Sequence, residues 1–162
     1  MNKIKWQKVY QNNQRLDSIF YQKYSSDNDL YRKNCIEILV ELGEFVNESK
    51  VFKYWTNKTP NKNKILEEYA DVITMCLYFM NEFKMEMDDN YCHLESIDIL
   101  EIINYLYYKM SLLMNNNDQE LLKDIFGNVL YLGKILEFSE EEIIDVINKK
   151  HQIIEERLKS DY

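Results

Sequence analysis

Apolar side chains recur every three or four residues through most of the chain, the spacing of helices that bury one face. Trp6, Val9, Tyr10, Leu16, Phe20 and Tyr24 carry it through a first segment, Ile4 to Tyr24. The same pattern predicts helices over Tyr31 to Ser49, Lys64 to Phe83, Leu94 to Met114 and Gln119 to Leu136. Ser139 followed three residues later by Glu142 is a capping box, and it opens a sixth helix towards Leu158. Between the second and third segments lies a polar, Lys-rich connection with the only proline, Pro60, and Asn115 to Asn117 reads as an inter-helix turn. Three glycines and one proline in 162 residues leave too few turn residues for a short-strand architecture. The expected fold is all-α: one domain over residues 1–162, an antiparallel bundle of about six helices around a four-helix core.

One polar feature breaks the ordinary pattern. The second segment contains LVELGEFVNESK, and on a wheel of about 100° per residue its Glu37, Glu41, Glu44 and Glu48 fall within about 60° of arc. Val40 and Phe45 flank that arc, so the acids form a narrow stripe between apolar walls. No lysine or arginine stands between Cys35 and Ser49 to offset them. Like charges at i,i+3 and i,i+4 disfavour a helix by a few tenths of a kcal/mol per pair. The third segment repeats the motif in EEYADVITMCLYFM, where Asp71 is the lone acid from Tyr69 to Met80 and lies one turn from Glu68. An unpaired carboxylate buried there costs several kcal/mol or binds its proton. Two readings stand: a solvated acidic face, or two acid pairs facing each other across a bundle as a cage for a hard cation. Such a cage suits Mg²⁺, or Mn²⁺ in its place, with water and phosphate oxygens completing the octahedron. A di-iron centre of the usual bundle type needs Glu-x-x-His pairs, and neither His93 nor His151 follows a Glu at that spacing.

Charge and cysteine usage narrow the possibilities further. The formal net charge of −8 opposes broad binding to nucleic acid, while a local basic patch still allows a small phosphorylated ligand. That patch exists: Ser49 to Leu66 holds Lys50, Lys53, Lys58, Lys62 and Lys64 and no acid. Cys35 and Cys76 sit in apolar runs and read as reduced core thiols, and Cys92 beside His93 is too sparse for zinc. The N-terminal stretch lacks the apolar core of a signal peptide and no run is long enough to span a membrane, so a reducing cytoplasm is the expected setting.

The paired acids E41-L-G-E44 and E68-Y-A-D71 resemble the ExxE…ExxD signature of the all-α nucleoside triphosphate pyrophosphatases. Within that group, VELGEFVNESKVFKYW and EEYAD look most like the dimeric dUTPases of bacterial and phage type, strongly over residues 35–80 and more weakly over 10–20 and 147–162. The resemblance implies a helical homodimer that hydrolyses dUTP, with dUDP as a further substrate, to dUMP and pyrophosphate using Mg²⁺. It makes Glu41, Glu44, Glu68 and Asp71 metal ligands and gives Glu41 the attacking water, with Glu48 as an added ligand or acceptor behind them. In FKYW, Lys53 would border the nucleotide, and Trp55 would lie against the base or sugar or else pack in the bundle. Gln14 and Asp17, within QRLD, match an N-terminal pattern that reads the uracil edge, next to Asn13 on the same arc. Lys149 and Arg157 match C-terminal cations that hold phosphate oxygens. Ile154, Leu158 and Asp161 depart from the family's Asn, Gln and Gly. Alternatives are another pyrophosphatase of the group, MazG-like or dCTP-directed, or a non-catalytic helical dimer that binds a protein.

Overall fold

The helices from Lys62 onward each begin where a short polar side chain takes over unpaired backbone N–H groups, whereas Asp29, before the helix that starts at Leu30, makes no such bond. In the computed structural model, which describes residues 2–24, 26–88 and 91–159, α1 spans Lys3–Tyr24, α2 Leu30–Ser49, α3 Lys62–Glu82, α4 Ile99–Leu112, α5 Gln119–Ile135 and α6 Glu140–Lys159. Asn61 Oδ1 accepts from the backbone N–H of Asn63 and Lys64 at the start of α3. Asp98 and Asp118 do the same for α4 and α5. The expected capping box opens α6: Ser139 N–H donates to Glu142 Oε2 (2.8 Å) and Glu142 N–H to Ser139 Oγ (3.2 Å). With so few glycines, helix ends use other residues in the left-handed region, Lys50 (φ 57°) after α2, Lys84 (φ 53°) after α3 and Glu137 (φ 57°) after α5. At the last two, Met85 N–H reaches back to Met80 O and Phe138 N–H to Gly133 O, satisfying carbonyls that the helix leaves open.

The fourth helix differs from the expectation that began it at Leu94. Leu94 N–H is taken by the buried Asn128 side chain (3.0 Å), and Asp98 supplies the cap, so the helix starts at Ile99. Asp161, one of the family departures, lies outside the described residues.

The four-helix core is a closed ring. α2 packs on α3, α3 on α5, α5 on α4 and α4 back on α2, while α1 and α6 pair with each other and both lie against α3. α3 is therefore central, and Leu66, Tyr69, Ala70, Ile73, Leu77 and Met80 are buried along it. The tyrosines that enter the core find acceptors at their tips: Tyr69 Oη donates to Val129 O (2.8 Å) and Tyr10 Oη to Met85 O (2.9 Å). Cys35 and Cys76 are buried free thiols, as expected, and burial pushes both up in pKa. No helix among the described residues is long and apolar enough to cross a membrane.

Two glycines make different demands. A Cβ at Gly127 would stand 2.0 Å from the backbone oxygen of Cys92, because the segment after residue 90 crosses α5 there. At Gly43 a Cβ would meet only the tip of Tyr107, at 3.3 Å. Gly127→Ala is expected to cost about 2 kcal/mol or more, since backbone must move. Gly43→Ala should be neutral or stabilising by up to about 1 kcal/mol through helix propensity. Urea unfolding followed by circular dichroism gives both values, and equal effects would contradict this packing.

Candidate functional site

Because α2 and α3 pack side by side, the two acid motifs share one end of their interface. Glu41, Glu44 and Glu68 each bring a carboxylate oxygen within 4.8 Å of the others. Around an octahedral ion bound at about 2.1 Å, neighbouring ligands lie about 3.0 Å apart and opposite ones about 4.2 Å, so side-chain adjustments on the order of 1 Å would close this set on Mg²⁺ or Mn²⁺. The donor set, all hard oxygens, fits such a cation. Behind it Phe45 is fully buried and stacks at a tilt on Tyr69 (6.0 Å), which fixes the stripe's orientation. The other wall differs from the sequence expectation. Val40 is 50% exposed and Ile36 52%, so the slot has one buried apolar side and one open one.

The electrostatics carry the mark of crowding. Glu41 is pushed up to about 7, first by burial and then by the charges of Asp71, Glu44, Glu37 and Glu68. Glu68 and Glu37 are raised by burial and then by Asp71. Asp71 is raised by burial, against the pull of Lys150, whose Nζ forms a hydrogen-bonded ion pair with Asp71 Oδ2. Asp71 thus stands next to the three-carboxylate cluster but turned towards a lysine of α6.

A cavity of about 770 Å³ opens from this cluster, a volume suited to a nucleotide-sized ligand. Glu37, Glu41 and Asp71 line one part of it, and Asn13, Asp17, Asn81 and His151 line another. Asp17 Oδ2 accepts from Asn13 Nδ2 (3.1 Å) and Asn81 Nδ2 (3.2 Å), and Gln14 Nε2 donates to Asn81 Oδ1 (3.3 Å). Burial pushes Asp17 up to about 7, opposed by those two amide bonds and reinforced by Glu82.

Other expected positions fall elsewhere. Glu48, half-buried on the same stripe, is outside the three-residue cluster. Lys53 Nζ folds back onto Asn47, donating to its backbone O (3.0 Å) and Oδ1 (2.7 Å). Trp55 does not pack in the bundle: it is 63% exposed, edge-on to Phe52 and Tyr54, and neither it nor Lys53 lines the cavity within one chain. Lys149 and Arg157 are exposed, and the lysine that faces the acids is Lys150. The neighbouring residue wins because α6 docks on α1 and α3 through Ile143, Ile147 and His151, which points Lys150 across at Asp71. Ile154, an expected departure, lines the cavity wall.

Several lining residues escaped the sequence reading although a signal existed. Thr74, Tyr78 and Asn81 continue from Asp71 at helical spacing, and all line the cavity. His151 stands at i+4 from Ile147 and i+8 from Ile143, a polar interruption of α6's buried stripe.

A protein-family model described as dUTPase matches residues 5–162. Comparison with curated proteins and with solved structures gave no significant match.

The raised acids give the metal-free protein a defined pH response. Glu41 titrates at about 7 in the fold against an ordinary 4.5, and Asp17 at about 7 against 3.8. At these two carboxyls the folded state holds more protons than the unfolded chain between those values. Together they lower stability as pH rises through that window, outweighing the opposite contribution of the single His151, lowered to about 4. In chelator-treated protein, urea unfolding should give a stability lower at about pH 7.5 than at about pH 5, by on the order of 1 kcal/mol after allowing for solvent screening. Glu41→Gln should remove a large part of that difference. An unchanged difference in the variant would contradict the crowding at Glu41.

Proposed function

The chain belongs to the all-α dUTPase family and is a nucleotide pyrophosphohydrolase, a dUTP diphosphatase; on that premise we propose that Glu41, Glu44, Glu68 and Asp71 hold its divalent cation, Mg²⁺, and that the adjoining cavity takes the deoxyuridine. The observation that carries this reading is the three-carboxylate cluster whose Glu41, with Asp71 beside it, lines a nucleotide-sized cavity. When bound, the cation neutralises charge on the phosphate chain and lowers the pKa of attacking water.

The chain's own groups perform the rest. Glu41 lies at the cavity edge of the cluster and accepts a hydrogen bond from the attacking water, orienting it and taking its proton. Burial and the neighbouring acids push its pKa up to about 7, which suits a group that accepts a proton near neutral pH. Glu48 accepts hydrogen bonds behind the cluster and steadies it. Lys150, which pairs with Asp71 beside the cluster, would supply positive charge to the phosphate oxygens, joined by Lys149 or Arg157 from the same helix. The base sits against Asp17 and Asn81, with Gln14 holding Asn81 from behind, and their polar edges favour a partner of matching pattern. The enzyme works as a homodimer. Its open apolar side beside the stripe, Ile36 and Val40, and the exposed Tyr54–Trp55 cluster with Lys53 support a second copy covering this end of the molecule and closing over the nucleotide.

Pyrophosphate release measured across a panel of nucleotides, with and without Mg²⁺, tests the reading. Turnover of dUTP should require the cation and stop with chelator. Glu41→Gln should lower kcat by about 10²-fold or more while the helical circular-dichroism signal persists. Lys150→Met should raise KM for dUTP more than it lowers kcat. If Glu41→Gln retains most of its activity, the assignment of the water to this carboxylate is wrong.

A further inference from the structure

A chain of side-chain hydrogen bonds runs from the surface into the base end of the cavity, and its direction is fixed at the surface. Arg15 carries only donors, and its Nε and Nη2 both point at Asn12 Oδ1, at 3.2 and 3.0 Å. Glu155 holds Arg15 in that pose at 3.1 Å. With its oxygen so engaged, Asn12 presents its Nδ2 donor to His151 Nδ1, 2.9 Å away. Nδ1 is then the acceptor of the ring, and the proton resides on Nε2. Nε2 lies 3.1 Å from Asn13 Oδ1 and donates to it. Asn13 therefore has its Nδ2 left to donate, and it does so to Asp17 Oδ2. From the other side Gln14 donates to Asn81, and Asn81 to the same Asp17 oxygen.

Every link points inward and both branches end on Oδ2. No donor among the described residues reaches Asp17 Oδ1. His151 itself is 2% exposed, and burial together with Arg15 lowers its pKa to about 4, so the ring is neutral at neutral pH, as the chain requires.

We propose that His151 is a positioning residue for base selection: it fixes the Asn13 amide so that Asp17 offers the base an acceptor, Oδ1. This rests on the reading above that the cavity holds the base. Uracil carries an N–H donor at ring position 3, and cytosine carries a lone pair at that position. An acceptor aimed at position 3 completes a hydrogen bond with the first and faces a second acceptor in the other. A site built around such a donor rejects the analogue lacking it, because its own polar group is left unpaired. Without His151 the Asn13 amide is free to turn its oxygen to Asp17. Two acceptors then meet, and the carboxyl rotates or, already raised to about 7 with both amides donating, holds its proton more strongly and becomes a donor that suits cytosine.

The test is the ratio of kcat/KM for dUTP to that for dCTP, measured for the wild type, His151→Leu, His151→Gln, Asn13→Asp and Asp17→Asn. His151→Leu should lower the ratio by tenfold or more, with the loss falling on KM for dUTP. His151→Gln keeps an N–H donor near the position of Nε2 and should recover most of the ratio, which a purely space-filling role for the ring does not predict. Asn13→Asp keeps the size and still accepts from His151, yet cannot donate to Asp17, so it should lower the ratio as His151→Leu does. Should His151→Leu fail to fold, Asn13→Asp decides the matter. A ratio within twofold of wild type in folded His151→Leu, or in Asn13→Asp in its place, overturns the proposal. If Asp17→Asn also leaves the ratio unchanged, the placement of the base in this cavity fails with it; if Asp17→Asn alone collapses the ratio, only the role of His151 falls.

Discussion

The packing of α2 against α3 brings together acids that would otherwise repel each other apart, and the functional end of the molecule depends on it. Phe45 and Tyr69 lock the two helices through a buried ring contact, and Tyr69 is itself anchored by its hydroxyl on Val129 of α5. That apolar grip holds Glu41, Glu44 and Glu68 within a few ångströms of each other, where burial and mutual charge drive Glu41 towards neutrality. Among the described residues relief comes from Lys150, which pairs with Asp71 and also draws Glu68 down. A cluster kept at a cost by the surrounding core is the arrangement expected where a cation or substrate supplies the missing charge.

The two ends of the cavity solve opposite problems with the same helices. At the phosphate end, α2 and α3 concentrate like charge and leave it to be balanced from outside. At the base end, α1, α3 and α6 enclose Asp17 and satisfy it with amides, each held in turn by another polar group. The first arrangement is permissive, since any hard divalent cation of suitable size fits it. The second is directional, because a donor-only arginine at the surface dictates the sense of each hydrogen bond along the Asn12–His151–Asn13 branch behind it. On the proposed reading, chemistry and selectivity reside in neighbouring but separable sets of side chains.

Much of this was legible in the sequence because helical periodicity is a local property. The boundaries of α1, α2, α3, α5 and α6 follow the apolar spacing and the Ser139–Glu142 box closely. The acid stripe was equally visible, since a wheel places Glu41 and Glu44 together and EEYAD supplies their counterpart. What escaped was decided between helices. The choice of Lys150 over Lys149 is a turn of about 100° on α6, set by how that helix seats on α3. The openness of Val40 and the exposure of Trp55 depend on which neighbours cover them, and no spacing within α2 or FKYW records that. The delayed start of α4 reflects Asn128, thirty-four residues away, capturing Leu94. His151 was in plain sight as a break in a buried stripe, but its meaning lies in partners from α1.

The central claim is that the carboxylates of α2 and α3 form one cation site, and direct binding tests it without reference to turnover. Mn²⁺ titrated into the protein and followed by the loss of its free-ion paramagnetic resonance signal reads occupancy alone. Wild-type protein should bind at least one ion per chain in the micromolar to submillimolar range, and a folded Glu44→Gln/Glu68→Gln double variant should lose that binding. Equal binding by the double variant would place the cation elsewhere and contradict the account.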